Sequence, residues 1–151
     1  MTQKRPDLVA DADLEARRLA LSLMQAKHAA LAWTDPQSLT PGISRIAYGL
    51  DESGIPTALI SGLAPHTQAL RANPACALML GEPGDKRAHA EFVAADDPAR
   101  ATLRAHWLKG HPKTTLYVDL PDFAFVRLVP QSALLNAGFG KAFSLTPQDL
   151  R

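Results

Sequence analysis

Ile43-Ser44-Arg45-Ile46-Ala47-Tyr48-Gly49-Leu50, then Asp51-Glu52-Ser53-Gly54, then Pro56-Thr57-Ala58-Leu59-Ile60-Ser61, is the stretch that decides the fold. Two apolar, β-branched runs flank a four-residue cluster of turn formers, the pattern of an antiparallel hairpin. A hairpin here rules out simple βαβ alternation and its parallel sheet. The second run feeds directly into Ser61-Gly62-Leu63-Ala64-Pro65-His66-Thr67, which opens a short helical pattern closed by Asn73-Pro74. A strand feeding a helix start gathers hydroxyls, an imidazole and unpaired backbone N–H groups in one small space, the chemistry an anion such as phosphate needs. Arg45 can complete such a site, because a guanidinium fork suits bidentate phosphate contact.

Outward from the hairpin, the chain alternates short strands with a few helices. Asp11 or Asp13 caps a helix reaching about Lys27, with Ala12, Ala16, Leu19, Leu23 and Ala26 on one face. Ala29–Trp33 reads as a strand, Ala75–Leu80 as another, and Ala88–Ala94 as a third after a turn at Pro83–Lys86. Asp96-Asp97-Pro98 starts a helix with Ala99, Leu103 and Trp107 inward, ending near Gly110. Phe123–Val129 is a strand stopped by Pro130, and Ser132–Asn136 reads as a separate one. Met1–Ala10 is expected to be a flexible arm, and residues 11–151 a single α+β domain whose antiparallel strands close into a small barrel.

The chain has 151 residues, 46% hydrophobic and 21% charged, with net charge +1. That balance gives no electrostatic case for nucleic acid or an anionic membrane. No apolar stretch reaches the length of a membrane span and no signal-peptide core appears, so the expectation is a cytoplasmic protein. Cys76 is the single cysteine and sits in an apolar run, as a small buried hydrophobe does.

Ser44-Arg45-Ile46-Ala47, the segment Leu59-Ile60-Ser61-x-Leu63-Ala64-x-His66-Thr67-x-x-Leu70-Arg71-x-Asn73-Pro74, and Gly138-Phe139-Gly140-Lys141-Ala142 resemble the FMN-binding split-barrel family, the group related to pyridoxamine 5′-phosphate oxidase. Within it the chain is most similar to the haem-utilisation (HugZ-like) branch. The resemblance spans about Ala12 to Leu145 and implies a six-stranded antiparallel split β-barrel with flanking helices. It also implies a homodimer with an FMN in each of two interface clefts. Arg45 matches the strand arginine that holds the flavin phosphate. Ser61, His66 and Thr67 match the positions around that phosphate, and Ile46, Ala47 and Tyr48 would follow the flavin ring through their backbone. The implied activity is a flavin-dependent oxidoreductase acting on a small molecule, the flavin supplying the chemistry.

Two rival readings stand beside it. A haem-binding or haem-degrading protein of the HugZ-like type would need an exposed axial ligand near the cleft, for which His89 and His111 are the loop candidates. A non-catalytic flavin-binding or structural dimer is the other. The feature favouring it is the short Gly81–His89 link between Leu80 and Ala90-Glu91-Phe92, which implies that either part of a barrel strand or a mobile segment is missing and the cofactor site weakened. No catalytic residue and no metal site is assigned. The spacing of His106 and His111 around Gly110 keeps them off one helical face. Asp96-Asp97 is read as a helix cap, and Gly138-Phe139-Gly140 as a tight turn with Phe139 at the subunit contact.

Overall fold

The computed structural model describes residues 9–81, 84–137 and 141–151. Met1–Leu8 and the Gly138-Phe139-Gly140 turn therefore lie outside the described residues. The strands are β1 (Val9–Asp11), β2 (His28–Thr34), β3 (Pro41–Leu50), β4 (Pro56–Ser61), β5 (Ala75–Met79), β6 (Gly84–Phe92), β7 (Phe123–Asn136) and β8 (Ala142–Leu145). The helices are α1 (Leu14–Leu23), α2 (Pro65–Ala72) and α3 (Ala99–Gly110).

The strands pair in the order β7-β4-β3-β2-β5-β6, and β6 returns to β7, closing a six-stranded antiparallel barrel. β8 extends the sheet beyond β7, and β1 pairs with β8 in parallel. Period-two alternation fills the interior. Ala29 and Leu31, Ile46 and Tyr48, Ala58 and Ile60, Leu78, Ala88 and Ala90, and Val126 and Leu128 all join one core cluster. A second cluster lies outside the barrel wall, where Leu103 and Trp107 of α3 pack with Val118 on Leu59 and Phe125.

Several elements differ from the sequence expectation. β6 is a full nine-residue strand beginning at Gly84, so the short link removes no barrel strand. The expected turn at Gly84–Lys86 is strand because both β5 and β7 offer it partners. Pro130 does not end its strand: β7 runs through it for fourteen residues. The register slips there, Arg87 facing Ser132 and Ala88 facing Pro130, so Gln131 is the extra residue of a bulge. A bulge is where a ladder tolerates a residue without an N–H. Val9 and Ala10, expected to be loose, begin β1, and α1 ends at Leu23 rather than Lys27. Its cap is Asp13, whose Oδ1 accepts the Ala16 N–H at 2.8 Å. No helix among the described residues is long and apolar enough to cross a membrane.

Candidate functional site

β3 changes partner along its length. Residues 41–47 pair with β2, and only Tyr48, Gly49 and Leu50 pair with β4. Meanwhile β4 pairs with β7 along Thr57–Ser61. Beyond the Tyr48–Ala58 pair the two strands of the hairpin therefore part. Continuing the register would set Arg45 opposite Ser61, three residues past the last pair on each strand. The Tyr48 N–H donates to the Lys27 carbonyl at 2.9 Å. Antiparallel alternation then turns the backbone groups of Arg45 and Ala47 the other way, toward β4, where the ladder has ended.

The side chains divide accordingly. Ile46 and Tyr48 point into the barrel core, leaving only their backbone for a ligand, as the resemblance implies. Burial pushes the Tyr48 phenol well above its usual pKa, and its hydroxyl contacts Met24 Sδ at 3.7 Å. Arg45 is exposed and makes no side-chain hydrogen bond or ion pair among the described residues.

The loop between β4 and α2 is internally tied. Ser61 Oγ donates to Asp122 Oδ2 at 3.1 Å and accepts the Leu63 N–H at 3.2 Å. The Gly62 N–H donates to the Asp122 carbonyl. Thr67 is fully buried and its hydroxyl donates to the Ser61 carbonyl at 2.5 Å. Gln68 Nε2 reaches the Gly62 carbonyl at 2.7 Å. The hydroxyl protons of Ser61 and Thr67 are thus spent inside the protein, and a carboxylate stands against the loop. α2 begins at Pro65 without a side-chain cap. His66, half-buried in its first turn, has its pKa lowered by desolvation, which favours the neutral imidazole. Asp122 is the residue that sequence reasoning missed. Its only signal is the pairing of Ser61 with Phe123, which requires knowing that β4 neighbours β7.

The remaining candidates lie elsewhere. His89 is exposed on β6, across the barrel from β3. His111 is not an exposed ligand: its ring stacks on Trp107, with centroids 4.0 Å apart and planes 9° apart. Its Nε2 is buried without a hydrogen-bond partner. His106 and His111 do share one cleft, of about 320 Å³, because His111 caps the helix that carries His106. No group of three or more metal-binding side chains occurs among the described residues. Asp97 Oδ1 accepts the Ala99 N–H at 2.8 Å, the capping role expected of it. Cys76 donates weakly to the Ala88 carbonyl, and burial pushes its thiol up to about 11, so it is no nucleophile at neutral pH.

No protein-family model matches the chain. Among curated proteins, it is 33% identical over 109 residues to the non-canonical heme oxygenase HOZ of the Arabidopsis thaliana chloroplast. The match covers 68% of this chain but only 34% of that protein, so the chain spans about a third of the relative's length. Among solved structures, it is similar to a heme binding protein from Mycobacterium smegmatis, with TM-score 0.77 and 22% identity over 98% of this chain and 61% of that one. It is also similar to a protein of the pyridoxinephosphate oxidase family from Clostridium acetobutylicum, with TM-score 0.72 and 13% identity over 93% of this chain and 100% of that one. At those identities the two structures speak for the fold.

Proposed function

Because this chain belongs to the split-barrel family related to pyridoxamine 5′-phosphate oxidase, we propose that it is a homodimeric cofactor-binding protein whose cofactor is haem, held along the β3–β4 split. Support for the dimer comes from the outer face of β2, β5 and the first half of β3, since the second core cluster meets β3 only near its end, at Ala47. Ile43, Ala32 and Ala77 form one row across these strands, and Arg45, Ala30 and Met79 the next. Ile43 is 70% exposed and Met79 44%, with small alanines between them, a flat apolar face that a second copy would bury. Arg45 stands in that face, so a ligand on Arg45 would lie at the subunit boundary.

The observation that carries haem over a phosphate-bearing flavin is the commitment of the loop hydroxyls. A dianionic phosphate at Ser61–Thr67 would find no free hydroxyl proton, a neutral His66, and the Asp122 carboxylate hydrogen-bonded to Ser61. The remaining cation, Arg45, matches one monoanionic carboxylate such as a haem propionate. The neutral His66 imidazole carries a lone pair able to ligate iron. Bound haem would supply iron redox chemistry toward oxygen; this chain's residues would anchor, ligate and shield it. The 33% identity to a heme oxygenase supports the same reading.

The test is the visible spectrum of the protein titrated with haemin. A Soret band that saturates is expected, with Arg45→Ala weakening binding about tenfold, a loss of about 1.4 kcal/mol. His66→Ala should shift the band, and His106→Ala should leave it unchanged. Absence of a saturable Soret band removes haem.

One observation favours the flavin reading as a second choice. The Arg45 and Ala47 backbone groups face the gap, and a straight edge of donors and acceptors suits the rim of an isoalloxazine ring. An FMN site there would make the protein a flavin-dependent oxidoreductase acting on a small molecule, and FMN titration would give a two-band yellow spectrum. Protein that takes up neither cofactor would be a non-catalytic dimer. The free thiol of Cys76 accords with a reducing compartment, and a cytoplasmic location belongs to the proposal on that ground.

A further inference from the structure

Beside β7, on the far side of β4 from the split, a second cleft of about 310 Å³ opens between the last turn of α2, the end of β6 and the first turn of α3. Its walls include Arg71, Phe92, Arg100, Pro121 and Phe123, and no carboxylate lines it. The Arg71 guanidinium lies 4.1 Å from the centroid of the Phe92 ring. The Arg100 guanidinium lies 5.6 Å from that of Phe125. A guanidinium resting on an aromatic face has its plane fixed and its N–H edges free, so it meets a planar anion already ordered.

Both arginines keep donors to spare. Arg71 makes no hydrogen bond or ion pair among the described residues. Arg100 spends one N–H on the Val118 carbonyl at 3.2 Å. Its approach to Asp119 is 4.0 Å, and that carboxylate is already held by Arg104 through bonds of 2.7 and 2.6 Å. The start of α3 is already capped by the Asp97 carboxylate, so the positive charge of the cleft comes from the two arginines.

The geometry points to a binding site for a small aromatic carboxylate, its anion on Arg71 and Arg100 and its ring against Phe92 and Phe123. The volume sits at the lower end of small-molecule sites, roughly 300–1,000 Å³, which suits one or two rings. The aromatic walls distinguish this ligand from a bare inorganic anion, and its size distinguishes it from a tetrapyrrole.

The experiment is calorimetric titration of the full chain with benzoate, benzamide and inorganic phosphate. Benzoate is expected to bind saturably with Kd on the order of 1 mM, the affinity that nine heavy atoms allow. Benzamide and phosphate should each bind at least about tenfold more weakly. Arg71→Ala and Arg100→Ala should each weaken benzoate about tenfold, and Arg45→Ala should leave it unchanged, separating this site from the cofactor split. Arg71 is exposed and touches only a ring, so Arg71→Ala folds and decides the matter if Arg100→Ala does not. Benzoate binding that fails to saturate, is matched by benzamide or phosphate, or survives Arg71→Ala overturns the assignment.

Discussion

The barrel has one seam that closes and one that opens, and the two are built from the same kind of strand. At the β6–β7 seam, nine residues of β6 find partners, and even a bulge at Pro130 does not interrupt closure. At the β3–β4 seam only three pairs form before the strands part. The closed seam buries Ala88, Ala90, Val126 and Leu128, and Arg127 on it is held by Asp51. The open seam leaves Arg45 exposed and turns backbone groups toward a gap. On the proposed function, stability and ligand binding are segregated on one sheet, and substitutions at the two seams should separate them.

The largest effect is expected at the closed seam. Leu128 is fully buried, and Leu128→Ala should cost about 3 kcal/mol through lost transfer energy and the cavity left behind. Urea unfolding measures it. Arg45→Ala at the open seam should change the same midpoint by no more than about 0.5 kcal/mol while weakening cofactor binding. Equal losses for the two would erase the distinction between the seams.

Asp51 tests the hairpin that joins them. It is 4% exposed, accepts the Ser53 and Ile55 N–H groups at 2.8 and 2.9 Å, and receives Arg127 Nε at 2.8 Å. Removing it leaves Arg127 half-buried without its anion and the turn without its anchor. Asp51→Ala should cost about 2 kcal/mol, less than a fully buried pair because Arg127 retains contact with water. Denaturant titration at neutral pH checks this, and Asp51→Asn, which keeps the turn contacts, should recover about half.

Gly62→Ala probes the open seam locally. An added Cβ would lie 2.7 Å from the Asp122 carbonyl oxygen, a backbone atom unable to swing aside. The expected cost is about 1 kcal/mol in stability, with a larger fractional loss in cofactor affinity as Ser61 and Asp122 are pushed apart. A variant that loses stability but keeps full cofactor affinity would detach the Ser61 loop from the site.

What the sequence disclosed follows the same division. The hairpin, the α2 start and the interior alternation were legible because each is local: turn formers, period two and Pro65 all lie within a few residues. The exposed strand position of Arg45 and the placing of His66 in the first turn of α2 were legible for the same reason. The full length of β6, the passage of β7 through Pro130 and the role of Asp122 were not. Each is fixed by a strand far away in sequence, since a strand's ends are set by the partners it finds rather than by its own residues. The commitment of the Ser61 and Thr67 hydroxyls was hidden as well, because a hydroxyl in a loop looks the same whether its proton goes to a ligand or to the backbone.

The smallest effect is a pH dependence, and its sign follows from His66. Desolvation holds its folded-state pKa below the ordinary 6.5, so between the two values the unfolded chain binds more protons than the folded one. Stability therefore rises with pH across that window: it is complete above about 6.5 and declines as pH falls through the lowered value. The carboxylates of Asp35, Asp119 and Asp149 also have pKa values held down, by hydrogen bonds from Ser38, Arg104 and Thr146 respectively, but they start from 3.8 and act only in stronger acid. The two regions of the acid limb are thus separable. His66→Gln should flatten the slope just below pH 6.5 and leave the steeper fall below pH 4 in place, as followed by thermal unfolding in a pH series. An unchanged slope would mean that His66 is no less hydrated in the folded protein than in the unfolded chain, and would remove the desolvated imidazole from the proposed haem site.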